Sequence, residues 1–567
     1  MVRVATRWIA AARSVFVLVA IGAAIAASSH AAENAAASSE STRPRLIVLV
    51  SVDQLPQDYW RRFGDSLPVD GFFARAANQG SVFTDCHHGH AFTFTGPGHA
   101  VLMTGAYPRT SGVIGNSWYD RESNKTLNCV ADAEAKTIGG QGAGASAKNL
   151  QVPTVGDQMK LAFGPQAKVF AIGWKDRSPI LTAGRLADAA YWFDDDTGHW
   201  VTSDAFQSEL PGWLRVLNEG RASRAFGGQA WTLLYPAERY HSHVADDNKF
   251  EKPGSGLSAA FPHELPAGED AAYFKRFAIS PFASQYTIET ARELILREEL
   301  GRDATPDCLA LCLSANDYVG HAFGPHSLEA EDMFYRTDRM LAEFATFLDE
   351  QVGAGRWTLA LSSDHGVAPI PEYAASLGLE AARSPLGSGK DVQANAEGAV
   401  RVRLGVPAGV QPSLVLSADS TQVFLRRDHP RLAGEAFEHA QDAVRDWLLD
   451  QPSVADAVTR AELLAEAGAG APLRAMFHRA FHKQRSGDVL YALKPLQFDA
   501  GSLCTSHGSP WNYDTHVPLV FLGARVGVAN SSRHVHPGSI APTLAAILDI
   551  EAPAGCEHEC LTEALAP

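Results

Sequence analysis

The sequence predicts an α/β protein: a doubly wound, mostly parallel sheet with helices on both faces, carrying inserted cap-type subdomains. Three observations lead there. Short, continuous apolar runs rich in β-branched residues recur along the chain, as in strands buried on both faces. Segments with apolar residues near a 3.6-residue period lie between them, and that alternation is the signature of a covered parallel sheet. Each run also stops at acids, imidazoles or basic side chains, and in such sheets ligands bind beyond the carboxyl ends of the strands.

Taken in order, the chain opens with Arg3, Arg7 and Arg13 before an apolar stretch from Ser14 to Ala27, closed by Ser29-His30-Ala31. A basic start, a short apolar core and a small-x-small end are the layout of a secretory signal peptide over residues 1–31, because the core is too short to span a bilayer. No Cys lies near the cleavage point for a lipid anchor, so no membrane anchor is expected after cleavage. The expected location is periplasmic or secreted. Residues 32–44, rich in Ala and Ser, read as a flexible leader.

The run Leu46-Ile47-Val48-Leu49-Val50-Ser51-Val52 stops at Asp53. Lys168-Val169-Phe170-Ala171-Ile172 leads into Lys175 and Arg177, Cys308 to Ser314 into Asp317 and His321, and Trp357 to Ser362 into Asp364 and His365. Helices are expected over Tyr286–Leu300, Ser327–Val352 and Ser539–Ile550, each with an apolar stripe. Two stretches read as insertions into a core of residues 45–367 and 499–567. The first, about 182–266, is aromatic and turn-rich, with Asp194-Asp195-Asp196-Thr197-Gly198 as a hairpin turn rather than a calcium loop, whose spacing it lacks. The second, 368–498, reads as an α/β subdomain with strands near Val400-Arg401-Val402, Val423-Phe424-Leu425 and Val489–Leu493, and a helix bearing Phe437, Ala440, Val444 and Leu448.

Composition fits a soluble globular chain, 46% hydrophobic and 20% charged. Its formal charge of −16 becomes more negative when the signal's three arginines leave, which argues against nonspecific binding to nucleic acid or anionic membranes. Seven Cys leave at least one without an intramolecular partner, and Cys86 with Cys129 or Cys556 with Cys560 could pair in an exported protein. No Cys-x-x-Cys pair or P-loop is present.

One stretch organises the chemistry. Phe94-Thr95-Gly96-Pro97-Gly98-His99 precedes the apolar run Ala100-Val101-Leu102-Met103, and Asn116 follows Thr95 by 21 positions. Pro presets the first turn of a helix, whose unpaired N–H groups and positive dipole end suit an anion such as phosphate. A Thr hydroxyl becomes a nucleophile when a metal or base activates it. The strand ends supply the rest: Asp53, Asp317, His321, Asp364, His365 and, in Thr505-Ser506-His507-Gly508-Ser509, His507. Three carboxylates and three imidazoles are the complement of two zinc sites with three protein ligands each and an open position. The neighbouring His87, His88 and His90 form a histidine cluster of their own. His99, His326 and His516 read as structural hydrogen-bonding residues.

On these motifs the chain resembles the alkaline phosphatase superfamily over most of its mature length. The match runs from Asp53 through Thr95-x-Pro-x-His99 and Asp317-Tyr318-Val319-Gly320-His321 to Asp364-His365-Gly366 and His507-Gly508. The resemblance implies an alkaline-phosphatase-like fold and two Zn2+: one on Asp317, His321 and His507, the other on Asp53, Asp364 and His365 with Thr95 bound to it. Thr95 and the Asn116 spacing are shared with the type I phosphodiesterase/nucleotide pyrophosphatases. Lys175-Asp176-Arg177 looks like the PafA-type alkaline phosphatases, which hydrolyse phosphate monoesters. The terminal phosphoryl group of a monoester carries an anionic oxygen that a second ester replaces in a diester, and two fixed cations can meet it. The expectation is an exported zinc-dependent phosphomonoesterase acting on small-molecule monoesters through a phosphothreonine intermediate, with Asn116, Lys175, Arg177 and the helix N–H groups on the phosphoryl oxygens. The alternatives are a phosphodiesterase or nucleotide pyrophosphatase, a sulfatase, disfavoured by Thr95 and His99 where a Cys/Ser and an Arg are usual, and an inactive phosphoester-binding module.

Overall fold

The structure, a computed structural model, describes residues 43–567 except 243, 269, 467, 469 and 500. The signal peptide read over residues 1–31 lies outside the described residues.

Eleven strands form one sheet. In chain order they are β1 (Leu46–Val52), β2 (Ser81–Phe83), β3 (Ala131–Ile138), β4 (Ala143–Ala145), β5 (Val169–Gly173), β6 (Ala189–Asp194), β7 (His199–Ser203), β8 (Asp307–Leu313), β9 (Trp357–Ser362), β10 (Leu519–Gly523) and β11 (Ala529–Ser531). The spatial order is β11-β2-β10-β9-β1-β8-β5-β6-β7-β3-β4. The middle five, β9-β1-β8-β5-β6, are parallel throughout. Antiparallel pairing begins where β10 meets β9 and where β7 meets β6. The sheet is therefore mixed: parallel at its centre, antiparallel on either side of it, and parallel again in the edge pair β2–β11.

Strand periodicity explains why both faces are apolar. In β1, Val48, Val50 and Val52 point into one core, while Ile47 and Leu49 point into the other. Each fully buried aliphatic side chain of this kind contributes about 1.5–3 kcal/mol. The helices nearest the site are α1 (Thr95–Thr104), α2 (Arg177–Ala183), α3 (Pro281–Arg297), α4 (Ala315–Phe323), α5 (Leu328–Leu348) and α6 (Ile540–Leu548). α3 and α5 cover the first face with Ile288, Leu294, Leu341 and Phe344. α1, α2 and α6 cover the second with Leu102, Ile180 and Leu544. α1 is buried at every residue, so its conformation is held by packing on all sides.

Within the stretch 182–266, β6 and β7 add two strands to the main sheet and pair through the Asp194–His199 hairpin. Within 368–498, a second sheet of four strands (Val415–Asp419, Gln422–Leu425, Val489–Leu493 and Val454–Thr459) is antiparallel and has its own apolar cluster. Val400-Arg401-Val402, read as a strand, lies instead inside a helix, Gly389–Leu404, with a Ser388/Asp391 capping box. Val400 is buried there and Val402 is exposed: β-branched residues favour strands only weakly, and a strong cap with one packed face prevails. All seven cysteines are free, so neither Cys86–Cys129 nor Cys556–Cys560 is bridged. Cys86 and Cys129 serve as buried apolar side chains in the second core.

Candidate active site

Four adjacent parallel strands, β9, β1, β8 and β5, end side by side, with neighbours spaced about 4.8 Å. The residues just past those ends are Asp364 and His365, Asp53, Asp317 and His321, and Lys175 and Arg177 respectively. Residues far apart in sequence thus converge because parallel strands present equivalent ends on one edge. Thr95 opens α1 above this edge, and His507 arrives on the loop before β10.

The six proposed ligands form one cluster, buried except for the partly exposed His321 and His507. Ligand atoms of Asp53, Asp364 and His365 lie within 4.8 Å of one another, as do those of Asp317, His365 and His507. His321 Nε2 is 3.2 Å from Asp317 Oδ1, and His507 Nε2 is 3.7 Å from the same oxygen. The orientation of the imidazoles is more telling than their proximity. His321 Nδ1 donates to Thr505 O at 2.9 Å, His365 Nδ1 to Gly366 O at 2.9 Å and His507 Nδ1 to Thr93 O at 2.8 Å. A carbonyl can only accept, so each ring is fixed in the tautomer that turns an Nε2 lone pair toward the carboxylates. That is the outer-shell arrangement of metal-ligating histidines.

Electrostatics point the same way. Burial, reinforced by the charge of Asp364, pushes the Asp53 carboxyl well above its ordinary range. Asp364 is pushed up by burial too, but His365 and His99 outweigh that and hold it below the carboxylate range. For Asp317 burial is likewise outweighed, by His321 and Lys175. Asp53 Oδ1 is buried and accepts no hydrogen bond among the described residues, and Asp364 Oδ2 has only the His99 and His365 rings beside it, at 3.1 and 3.3 Å. Buried carboxylate oxygens so placed are costly unless a cation meets them. The donor set, mixed nitrogen and oxygen, fits zinc-like ions.

Lys175 is the cation that does reach these acids. Its Nζ lies 2.7 Å from Asp53 Oδ2 and 2.6 Å from Asp317 Oδ2. Burial alone would lower its pKa, yet the two carboxylates raise it, so the ammonium stays charged. Arg177 begins α2; its Nε is buried with no partner among the described residues, and its charge faces Asp176.

Thr95 Oγ1 is 3.5 Å from His365 Nε2 and buried, so the hydroxyl faces the cluster. Asn116 Oδ1 accepts the Gly96 N–H at 2.7 Å, which leaves the amide NH2 as its donor. Of the N–H groups at the helix start, that of Gly96 is taken by Asn116, Pro97 has none and that of Gly98 goes to Phe94 O at 3.0 Å, so these bonds narrow the expected anion cradle to the N–H of Thr95.

One supporting residue, Gln54, escaped the sequence reading of the site, and a second, His99, was read there only as a structural hydrogen-bonding residue. Gln54 Nε2 donates to Asp317 Oδ1 at 2.7 Å, and its backbone N–H donates to Asp364 Oδ1 at 3.1 Å. Its φ is +63°, and a Cβ at residue 320 would stand 1.8 Å from its Oε1, so a side chain there would push the Gln54 amide off Asp317. His99 Nδ1 lies 2.9 Å from Thr95 O and 3.1 Å from Asp364 Oδ2, while its Nε2 meets Ser51 Oγ at 3.0 Å. Its position four residues after Thr95 put it on the same helical face, a signal that was available in the sequence. Beside His507, a cavity of about 280 Å3 opens between the core and the 368–498 stretch, lined by Phe94, Tyr491, Phe498 and Ser384 among others.

Comparison with known proteins agrees with this geometry. The family model described as type I phosphodiesterase / nucleotide pyrophosphatase matches residues 47–495. A protein named calcium-transporting ATPase from Myroides odoratus is 34% identical over 527 residues, covering 92% of this chain and 94% of that one. Alkaline phosphatase PafA from Elizabethkingia meningoseptica is 32% identical over 536 residues, covering 92% and 95%. The crystal structure of wild-type alkaline phosphatase PafA matches with a TM-score of 0.85 at 31% identity, covering 92% of this chain and 99% of that one. The chain belongs to the type I phosphodiesterase / nucleotide pyrophosphatase family of the alkaline phosphatase superfamily, as one of its phosphatases, a phosphoric monoester hydrolase.

Proposed function

We propose that this chain is an exported, zinc-dependent alkaline phosphatase that cleaves small-molecule phosphate monoesters through a phosphothreonine intermediate. The observation that carries the reading is the set of three pinned imidazoles, His321, His365 and His507, turning their Nε2 atoms toward three buried carboxylates within reach of Thr95. Asp317, His321 and His507 would hold one ion, and Asp53, Asp364 and His365 the other. Such ions, when bound, supply Lewis-acid activation of the nucleophile, of the leaving oxygen and then of water.

Thr95 Oγ1 gives up its proton and attacks phosphorus in line, forming a bond to phosphorus as the ester oxygen departs. Water then attacks phosphorus from the side the ester oxygen left, opposite Thr95; the bond to Thr95 Oγ1 breaks, phosphate is released and a proton from that water restores the Thr95 hydroxyl. The Asn116 amide, Lys175 and Arg177 are the donors placed for the phosphoryl oxygens. With ions held by Asp53 and Asp317, the Lys175 ammonium would be free to meet an anionic oxygen of the phosphoryl group. Two side-chain cations favour the extra charge of a monoester over a diester.

Export rests on the layout of residues 1–31; among the described residues no helix is long and apolar enough to cross a membrane.

Thr95→Ala is the decisive variant: turnover of p-nitrophenyl phosphate should vanish while zinc content stays near two per chain, and retained turnover would rule Thr95 out as nucleophile. Chelation should abolish activity, and zinc should restore it better than magnesium. A bis(p-nitrophenyl) phosphate rate exceeding the monoester rate would favour the diesterase alternative.

A further inference from the structure

Away from the catalytic cluster, three chain segments bring Asp85, His87, His516 and His534 together at the surface. Ligand atoms of Asp85, His87 and His516 lie within 4.8 Å of one another. We propose that this group is a third metal site, one that takes zinc or a similar borderline divalent cation and locks the three segments together.

The side-chain chemistry is that of a ligand set. Asp85 offers both oxygens to imidazoles: Oδ1 is 3.1 Å from His87 Nε2 and Oδ2 is 3.2 Å from His534 Nδ1. His516 Nε2 lies 2.9 Å from Thr84 O. A carbonyl accepts only, so Nε2 carries the proton and Nδ1 of the neutral ring keeps its lone pair. His87 is anchored likewise, with Nδ1 3.0 Å from Thr515 Oγ1 and Nε2 turned to Asp85. His516 thus has one nitrogen tied to a carbonyl and one left for a ligand bond, as in the catalytic cluster, while His87 turns its Nε2 to the carboxylate. Two imidazoles and a carboxylate, with His534 as a fourth, match the donor types and number of a closed zinc site.

The rings of His87 and His516 stack at 4.2 Å with an interplanar angle of 11°. His365 and His507 stack in the same manner inside the catalytic cluster, at 3.5 Å and 13°. Loading would tilt both pairs out of parallel so that in-plane lone pairs meet the ion. Asp85 and His534 are partly exposed, with side-chain exposures of 40% and 59%, so a cation has an open approach from solvent.

The location suggests the purpose. His87 and His516 form an antiparallel bridge, and Cys86 pairs in parallel with Val535. The first segment runs on to Thr95, and the second follows Asp514, which takes the Ser509 N–H at 2.8 Å in the loop that carries His507. A cation here would cross-link the approach to the nucleophile with the approach to a catalytic ligand, stabilising the fold by an amount that grows with the logarithm of the free metal concentration.

The test is equilibrium dialysis of the full chain against zinc alone, with bound metal counted by mass spectrometry. The wild type should bind one more zinc per chain than His87→Ala or His516→Ala, and zinc should raise the melting temperature of the wild type above any rise in these variants. His534→Ala, at a largely exposed position, should keep the site but weaken it by roughly tenfold or more. Activity toward p-nitrophenyl phosphate reports that each variant is folded and should stay within about twofold of wild type, since none of these residues touches the reacting groups. Equal zinc counts in wild type and the His87 and His516 variants would overturn the proposal, as would a wild-type count of two.

Discussion

Lys175 Nζ stands 2.6 Å from Asp317 Oδ2, inside the carboxylate cluster. The same ammonium reaches Asp53, so one side chain balances two acids of different proposed metal sites. Under the proposed mechanism it would hold the acids together before metal binds and meet the phosphoryl group afterwards. Lys175→Ala should lower kcat/KM for p-nitrophenyl phosphate by roughly 10²–10³-fold, the usual effect of removing one donor to developing charge. The diester should lose less than about tenfold, and a parallel pattern is expected for Arg177→Ala. Equal losses on both substrates would remove the monoester argument.

His99 touches Thr95 through the backbone oxygen and Asp364 through its side chain. Burial disfavours its charge, yet Asp364 raises its pKa well above the ordinary value, so the ring acts as a cationic clamp on a ligand carboxylate. It is a positioning residue. His99→Ala should weaken zinc binding about 10–100-fold. Activity measured against free zinc should recover at high metal, whereas loss that zinc cannot rescue would point to a collapsed α1 instead.

Gly98 lies where α1 passes over Asp364: a Cβ there would stand 2.2 Å from the Asp364 carbonyl oxygen. Backbone cannot yield as a side-chain tip can. Gly98→Ala should cost roughly 1–3 kcal/mol by overpacking, seen as a lower denaturation midpoint, and should lower activity by displacing Asp364. A variant with wild-type stability would show that α1 has room to slide.

Glu251 gives a pH signature separate from the active site. Burial first, and then the acids Glu329 and Asp246, push its carboxyl up to about 10, and neither oxygen has a partner among the described residues. The folded pKa is raised, so the folded state binds more protons than the unfolded one between about 4.5 and 10. Stability from this group is present below that window and is lost as pH rises through it. Glu251→Gln should therefore raise the melting temperature at pH 8 and flatten the decline toward alkaline pH. An unchanged melting temperature at pH 8 would show that the carboxylate finds water or a cation there.

Much of this protein could be read from its residues in order. Runs such as Leu46–Val52 and Asp307–Leu313 are too apolar to be anything but doubly covered strands, and parallel strands leave their C-terminal ends together. Asp53, Asp317 and Asp364 were therefore legible as neighbours before any contact was known, and so was Thr95 at a helix start. Folding in three dimensions decided what depends on partners distant in sequence. The use of Asn116 to hold Gly96, the seat of Lys175 between two acids and the grip of Gln54 and His99 on ligand carboxylates are of this kind. So are the antiparallel flanks of the sheet and the helix over Val400–Val402. A sequence pattern records the period of one segment against an unspecified interior. Which hydrogen bonds a side chain forms, and which of two weak local preferences prevails, is settled by the particular atoms packed against it.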